Sequence, residues 1–275
     1  MIKKLFAILF GLFVLTNVCH AESYKIYLGI PAGGMTDVFL RKVLDVVHKT
    51  SNNTYMIVNR PGADQLVAYQ GFIEESKKNP NVLFVSSSGT NVSSYYLYPD
   101  LKLDPLKDTK TVINFVQLNF VVAVLSDSKI NKLSDVRGKL NLGYAGASSA
   151  TAFNRFVKDP NIELVPFKGD NEVVFALLQK EIQGGIILSV SPQYLVNQDK
   201  IKLIHTLATG GNGLSVISDF PDNKLQEINK EFNAALKDPE VREFFKKNMG
   251  TFPAGGTPED YNKLIMNFKQ SIFGK

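Results

Sequence analysis

The chain of 275 residues contains no tryptophan, one cysteine and three histidines. A single cysteine excludes an internal disulfide framework. No run of basic residues is present, and a net charge of +5, from 31 Lys+Arg against 26 Asp+Glu, is too weak a bias to argue for nucleic acid. The phosphate-loop pattern G-x-x-x-x-G-K-[ST], the dinucleotide pattern G-x-G-x-x-G, the zinc pattern H-E-x-x-H and the nucleophile elbow G-x-S-x-G are all missing. With 44% hydrophobic and 21% charged residues the composition is that of a globular protein, which excludes disorder and collagen-like repeats. Past residue 21 no apolar run approaches the roughly 20 residues that span a bilayer.

What is present begins at the N-terminus. Lys3 and Lys4 precede an apolar run from Leu5 to Val18, and Cys19-His20-Ala21 follows. A charged start, a short apolar core and a small residue at the end form a secretory signal peptide, residues 1–21, with cleavage expected after Ala21. Cleavage removes two lysines and the cysteine, so the mature chain has no thiol nucleophile and no cysteine metal site. The mature protein is expected to be exported to the periplasm.

The remainder alternates β-branched or aromatic runs with helical periodicity, which predicts an α/β fold. Strands are expected at Tyr24 to Ile30, Asn81 to Val85, Phe115 to Leu125, Leu140 to Tyr144, Glu163 to Phe167, Ile182 to Val190 and Ile201 to Leu207. Asp37 to Lys49, Asn171 to Lys180 and Asp222 to Leu236 carry apolar residues at helical spacing. Asp238-Pro239 breaks the last of these. Thr257-Pro258-Glu259-Asp260 has the composition of a helix start, with Tyr261, Leu264, Ile265 and Phe268 as its buried stripe. Gly210, Gly211 and Gly213 suit a flexible return of the chain.

One local pattern recurs: a strand, a loop of small residues, then a helix. It occurs at Pro31 to Asp37, at Ser86 to Asn91 and at Tyr144 to Thr151, with a weaker case at Phe167 to Asp170. Such loops present backbone N–H groups at a helix N-terminus, where the dipole favours negative charge. One such loop reads as a tight turn and cap. Three in one chain favour an anion site, for which Ala32, Gly33, Gly34, Thr36, Ser87, Gly89, Thr90, Ala145, Gly146, Ala147, Ser148 and Ser149 are the candidates.

Catalytic signals are weak. Ser126-Asp127-Ser128-Lys129 matches S-x-x-K, but that pair needs a helix and here it follows a strand and enters a loop. Asp104, Asp108, Asp135 and Asp170 look like turn or cap residues. His48 ends a helix, where a cation suits the dipole, and His205 reads as a satisfied core histidine. No metal site, cofactor or carboxylate couple can be singled out.

Several segments, in order, resemble the periplasmic receptors of tripartite tricarboxylate transporters, the Bug receptors. Pro31-Ala32-Gly33-Gly34-Met35-Thr36-Asp37 with Arg41 resembles the opening P-A-G-G-x-T-D…R, and Asn59-Arg60-Pro61-Gly62-Ala63 the turn N-R-P-G-A. Asp104 to Asp108 is similar to D-P-L-K-D, Val165 to Gly169 to V-P-Y-K-G, and Ala234 to Arg242 to A-A-L…D-P-E-V-R. Gly255-Gly256-Thr257-Pro258-Glu259 resembles the cap G-G-T-P-E.

The resemblance implies a type II periplasmic-binding fold: two α/β domains, a ligand cleft and a hinge of two crossing segments. Domain 1 is expected over residues 22–120 plus 210–275 and domain 2 over 121–209, with crossings at Val121 to Ser126 and Thr206 to Gly210. It also implies a small carboxylate ligand, held in part by the loop from Ala32 to Thr36, in a cleft completed by the loops from Ser87 to Thr90 and from Ala145 to Ser149. Beside these loops, Ile30, Met35 and Tyr144 are available in this chain for apolar contact. The partners implied are membrane permease subunits, and the receptor is expected to be monomeric and non-enzymatic. The chain departs from the family at Ile30, where an aromatic is usual, at Asp64 and Gln65, where glycines are usual, and at Gln183, where an acid is usual. Roughly two dozen residues of the family's stretch after Gly211 are missing, a difference of the kind that loop excursions make. Two other functions remain open at this point: a receptor feeding a membrane sensor, and a periplasmic serine hydrolase acting through Ser126 or a loop serine.

Overall fold

The computed structural model describes residues 21–97 and 102–274. All but the last residue of the expected signal peptide lies outside the described residues. Eight strands form one mixed sheet: β1 (Ser23–Leu28), β2 (Thr54–Asn59), β3 (Val82–Ser87), β4 (Thr109–Leu125), β5 (Leu140–Ala145), β6 (Ile162–Phe167), β7 (Gly184–Leu188) and β8 (Ile201–Ile217). Their order is β2-β1-β3-β8-β4-β7-β5-β6. β1 pairs in parallel with β2 and β3, and β5 in parallel with β6 and β7, so each flank of the sheet is a small parallel α/β unit. Between the flanks run β4 and β8, 17 residues each and antiparallel to one another. Four register shifts interrupt their ladder. Such shifts bend the paired strands and increase their twist.

The first flank is built on α1 (Met35–Thr50), whose Phe39, Leu40, Val43, Leu44, Val46 and Val47 are buried. Their spacing is that of an amphipathic helix packed on a sheet. Phe39 meets Phe115 of β4 edge-on at 5.9 Å and Phe245 at 5.3 Å, tying α1 to the sheet and to the C-terminal helices. His48 and Lys49 occupy the last turn, and His48 Nε2 accepts the Tyr55 N–H at 3.0 Å. α2 (Leu66–Ser76) covers the same flank from the other side and carries Gly71 within it. A Cβ there would lie 2.9 Å from Tyr27 Cε1 and 2.8 Å from Arg60 Nη1, so the close approach of that pair explains a residue that weakens a helix. α3 (Ser88–Leu97) follows β3 without a gap, and α4 (Pro105–Asp108) is a single turn before β4.

The second flank carries α5 (Ala147–Phe156) and α6 (Asp170–Leu178) after β5 and β6, and the short α7 (Pro192–Leu195) after β7. α8 (Asp222–Lys237) and α9 (Pro239–Met249) return to the first flank, where Asp238 caps α9 by accepting the Glu240 N–H at 2.8 Å. α10 (Pro258–Phe273) starts at a reciprocal cap: Thr257 Oγ1 accepts the Asp260 N–H at 3.1 Å, and Asp260 Oδ2 accepts the Thr257 N–H at 2.9 Å. Tyr261, Ile265 and Phe268 are buried as the spacing predicted. They pack into the core with Val122, Ala152 and Phe153. The C-terminal helix thus lies across the central strands and against α5.

Two expectations change. Gly210, Gly211 and Gly213 do not form a loop; they lie inside β8. A Cβ at Gly213 would stand 2.0 Å from the Ile113 carbonyl oxygen, and one at Gly211 2.5 Å from Asn114 Oδ1. Their absence of a side chain serves close packing within the sheet. His205 is half-buried, its ring edge-on to Phe156 at 5.6 Å, and is not a core residue. Among the described residues no helix is long and apolar enough to cross a membrane, and no group of His, Cys, Asp or Glu could hold a metal ion.

Candidate functional site

All four strand–loop–helix junctions lie at the carboxyl ends of parallel strands. β1 leads into α1, β3 into α3, β5 into α5 and β6 into α6. The carboxyl edge of such strands is where loops converge on a common crevice. A cleft of two compartments opens there, sharing Ile30, Thr36, Leu118, Leu188 and Asn212 in their walls.

The inner compartment encloses about 250 Å³. Ser87, Ser88, Gly89 and Thr90 line it from the β3–α3 junction, and Ala145, Gly146, Ser148 and Ser149 from the β5–α5 junction. The two junctions approach closely: a Cβ at Gly89 would be 3.0 Å from Ser148 Oγ. Leu118, Phe120 and Leu188 supply apolar wall, and Gly211 and Asn212 enter from β8. Ser87 also caps α3, its Oγ accepting the Thr90 N–H at 2.9 Å and sharing a hydrogen bond with Thr90 Oγ1 at 2.8 Å. Ser149 Oγ donates to the Ala145 carbonyl at 2.8 Å. The hydroxyls therefore serve as local caps and as cleft lining together. Ser88 Oγ accepts the Gly211 N–H at 2.9 Å and anchors the β3–α3 junction to β8.

Eight of the twelve candidates line this compartment: Thr36, Ser87, Gly89, Thr90, Ala145, Gly146, Ser148 and Ser149. Ala32, Gly33, Gly34 and Ala147 are not in its wall. In the first loop, two N–H groups already have protein acceptors: Gly33 donates to Asp37 Oδ2 at 2.9 Å and Gly34 to the Pro31 carbonyl at 3.0 Å. Gly34 acts instead behind the wall, since a Cβ there would lie 2.5 Å from Ile30 Cγ2. Tyr144 is absent from the lining, whereas Ile30 borders both compartments and Met35 the outer one.

The outer compartment, about 620 Å³, is walled by Met35, Phe39, Val190 and Met249 on its apolar side and by Lys168, Asp170, Asn171 and Glu172 at the start of α6. Residues 39–216 match the sequence profile described as the tripartite tricarboxylate transporter family receptor, TctC. The chain belongs to this receptor family. It is 25% identical over 197 residues to the UPF0065 protein in the gbd 5′ region of Cupriavidus necator, and 24% identical over 213 residues to a UPF0065 protein of Bordetella pertussis. These alignments take in 66% and 72% of this chain, and the chain spans 58% and 65% of the lengths of the two relatives. A TctC solute-binding protein from Polaromonas superposes with a TM-score of 0.74 at 16% identity, over 92% of this chain and 99% of that one. MatC of Rhodopseudomonas palustris, solved with bound malate, superposes with a TM-score of 0.70 at 18% identity, over 91% and 99%. The fold is therefore that of the TctC receptors, with two α/β domains.

Two of the segments that resemble the Bug receptors meet at Asp37. Its carboxylate accepts from Arg41 Nε and Nη2, the Gly33 N–H and Asn59 Nδ2, each at 2.9 Å. Burial alone would raise this carboxyl; the guanidinium, the N–H and the amide outweigh burial and hold it below the ordinary carboxylate range. Asn59 also donates to the Ile30 carbonyl at 3.0 Å. The aspartate and arginine of the first motif and the asparagine of the second thus brace the turn that presents Ile30 and Thr36.

The sequence reading missed Asp64, Gln65, Leu118, Phe120, Leu188 and Asn212 as cleft residues. The departures at Asp64 and Gln65 were the available signal. It also took Asp170 for a cap. Asp170 is half-buried in the outer wall, where burial pushes its carboxyl up to about 6, against a 2.9 Å hydrogen bond from the Leu188 N–H. An unfolded aspartate titrates near 3.9, so between about pH 4 and 6 the folded chain holds this proton more tightly, and stability falls as pH rises through that window. Asp170→Asn keeps an acceptor for Leu188 and removes the charge. Its expected gain is about 1–2 kcal/mol at pH 7.5 and none at pH 4, or about 2–4 °C in Tm per kcal/mol. Thermal unfolding at the two pH values checks this, and an equal shift at both contradicts it.

Proposed function

We propose that the chain is an exported periplasmic receptor that takes a small organic carboxylate into the cleft between its two lobes and presents it to a tripartite-type membrane permease. The observation that carries this reading is the inner compartment. Three helices begin at the cleft, the strand-to-helix junctions contribute Thr36, Ser87 to Thr90, Ala145, Gly146, Ser148 and Ser149, and apolar residues close the other side. A carboxylate gains charge-assisted hydrogen bonds from such donors and favourable helix dipoles. A cavity of about 250 Å³ lies at or below the small end of ligand pockets, a size suited to a short acid. The malate bound to MatC and the adipate bound to R. palustris Rpa4515, receptors of the same fold, are acids of this kind.

In this reading domain 1 comprises residues 22–120 plus 210–275 and domain 2 residues 121–209, and the long strands β4 and β8 carry the crossings. Closure of the lobes on the ligand creates the surface that the permease subunits read. The receptor works as a monomer without chemistry on its ligand. Against a hydrolase, Ser126 Oγ donates to the Asp199 carbonyl at 3.1 Å, and both histidines have other surroundings, His48 at the Tyr55 N–H and His205 at the Phe156 ring.

The test is a thermal-shift screen of short organic acids, their amides and neutral sugars. A ligand at a hundred times its Kd stabilises the folded state by about 2.7 kcal/mol. At about 2–4 °C per kcal/mol, Tm should rise by about 5–10 °C with an acid and not with its amide. Equal stabilisation by acid and amide rejects the carboxylate site.

A further inference from the structure

We propose that the ligand carries an ammonium group beside its carboxylate, and that Asp64 in the inner cleft receives it. The inference rests on the carboxylate reading above and specifies the ligand further.

Asp64 lines the inner compartment together with Gln65, and among the described residues no lining side chain of that compartment carries a positive charge. The Asp64 carboxylate has no hydrogen bond or ion pair within the described protein. Its surroundings limit its hydration, and this desolvation raises the carboxyl although the residue as a whole keeps exposed surface. Across both compartments three carboxylates, Asp64, Asp170 and Glu172, face one ammonium, Lys168. A second carboxylate on the ligand would add repulsion to this field, whereas an ammonium would give Asp64 the partner it lacks.

The placement of Asp64 is built. Gly62, Ala63, Asp64 and Gln65 all have positive φ, at 135°, 44°, 53° and 74°. Three consecutive non-glycine residues in this region hold backbone strain of the sort that concentrates at ligand sites. The loop is pressed onto the end of β1: a Cβ at Gly29 would lie 2.4 Å from Gln65 Cβ and 2.7 Å from Gln65 Cα. Gln65 Nε2 reaches Ser87 Oγ at 3.4 Å, linking the loop to the hydroxyl wall. Glycine at residues 64 and 65 would meet the same backbone demand without strain. The chain instead carries an acid there, in the same compartment wall as the serine and threonine hydroxyls of the β3–α3 and β5–α5 junctions.

Titration calorimetry at pH 7.5 with matched pairs tests this: alanine against propanoate, aspartate against succinate, 4-aminobutanoate against butanoate and 5-aminopentanoate against pentanoate. In at least one pair the amino acid should bind at least tenfold more tightly than its des-amino partner. Asp64→Asn should reduce that preference to within twofold, and asparagine tolerates the left-handed backbone, so the variant should melt no lower than the parent. Tighter binding of the des-amino acid in every pair that binds, or a preference that survives Asp64→Asn, overturns the inference and leaves the carboxylate receptor standing. Absence of binding by every acid of this set and of the thermal-shift screen overturns the carboxylate reading itself, and the inference with it.

Discussion

Gly213→Ala should leave the protein unable to fold stably at 37 °C, with a loss of more than about 4 kcal/mol, the range reserved for a few severe mechanisms. The added methyl would sit 2.0 Å from the Ile113 carbonyl oxygen, 2.9 Å from its carbonyl carbon and 2.7 Å from Tyr261 Cε1. None of these atoms can retreat cheaply. Gly213 lies opposite Asn114 of β4 on one side and Ser86 of β3 on the other, so its strand is fixed from both edges. Tyr261 is fully buried, and its hydroxyl donates to the Ser86 carbonyl at 2.9 Å. Relief requires separating β8 from β4 or expelling Tyr261, and either opens the join between the flanks. Gly169→Ala is the control. It has nothing within 4 Å of its Cβ position and caps α6 with an extended backbone, so it should change stability by less than about 1 kcal/mol. Chemical denaturation of both variants checks the pair, and a parental midpoint for Gly213→Ala contradicts the packing account.

The same residue shows where sequence reading fails. Glycine is chosen for a free backbone in a turn and for a missing side chain in a strand, and the letter alone does not distinguish the two. Three glycines within Gly210 to Gly213 therefore read as a flexible return, and the true reason lay in β4 and Ser88, distant in sequence. β2 and α2 escaped for a related reason. β2 is an edge strand with Thr54 and Met56 exposed, so its hydrophobic alternation is weak, and α2 is interrupted by Gly71. By contrast α1, α8 and α10 carry their own evidence, because each has a regular apolar stripe and a local start or stop signal.

The cleft was legible in part. The β3–α3 and β5–α5 loops stood out because small polar residues at a strand-to-helix junction have a local signature, and the parallel topology brings those junctions to one edge. The Pro31 to Thr36 loop carried the same signature but divides its labour: Thr36 faces the cleft while Gly33 and Gly34 spend their N–H groups on the turn. Leu118, Phe120 and Leu188 gave no signal, since an apolar residue at the mouth of a cleft looks like any core residue until the strands are placed. Asp170 shows the reverse error. An acid at the first position of a helix is expected on dipole grounds. What changes its role is enclosure by β7 and the outer wall, which no local pattern encodes.

Loss of ligand binding with retention of the fold is the expected result of Gly89→Val. Gly89 sits in the first turn of α3 with an ordinary backbone angle, so a side chain is tolerated locally at the small penalty of a β-branched residue in a helix. The space in front of it belongs to the cleft. Its Cβ position is 3.0 Å from Ser148 Oγ and 3.6 Å from Ser87 Oγ, between the two donor loops. Ser148 can rotate away from a single methyl, so Gly89→Ala should weaken binding modestly. The branched side chain of valine fills the gap between the loops, and a carboxylate held there loses contact with both. Hydrogen bonds to a charged group contribute about 1.5–3 kcal/mol each, so losing two lowers affinity by more than about a hundredfold. Calorimetry with the tightest acid from the screen, beside thermal unfolding of the empty proteins, separates the effects. Binding should fall in the order Gly, Ala, Val while Tm stays within a few degrees. Parental affinity in Gly89→Val would place the ligand in the outer compartment, away from the junction of α3 with α5.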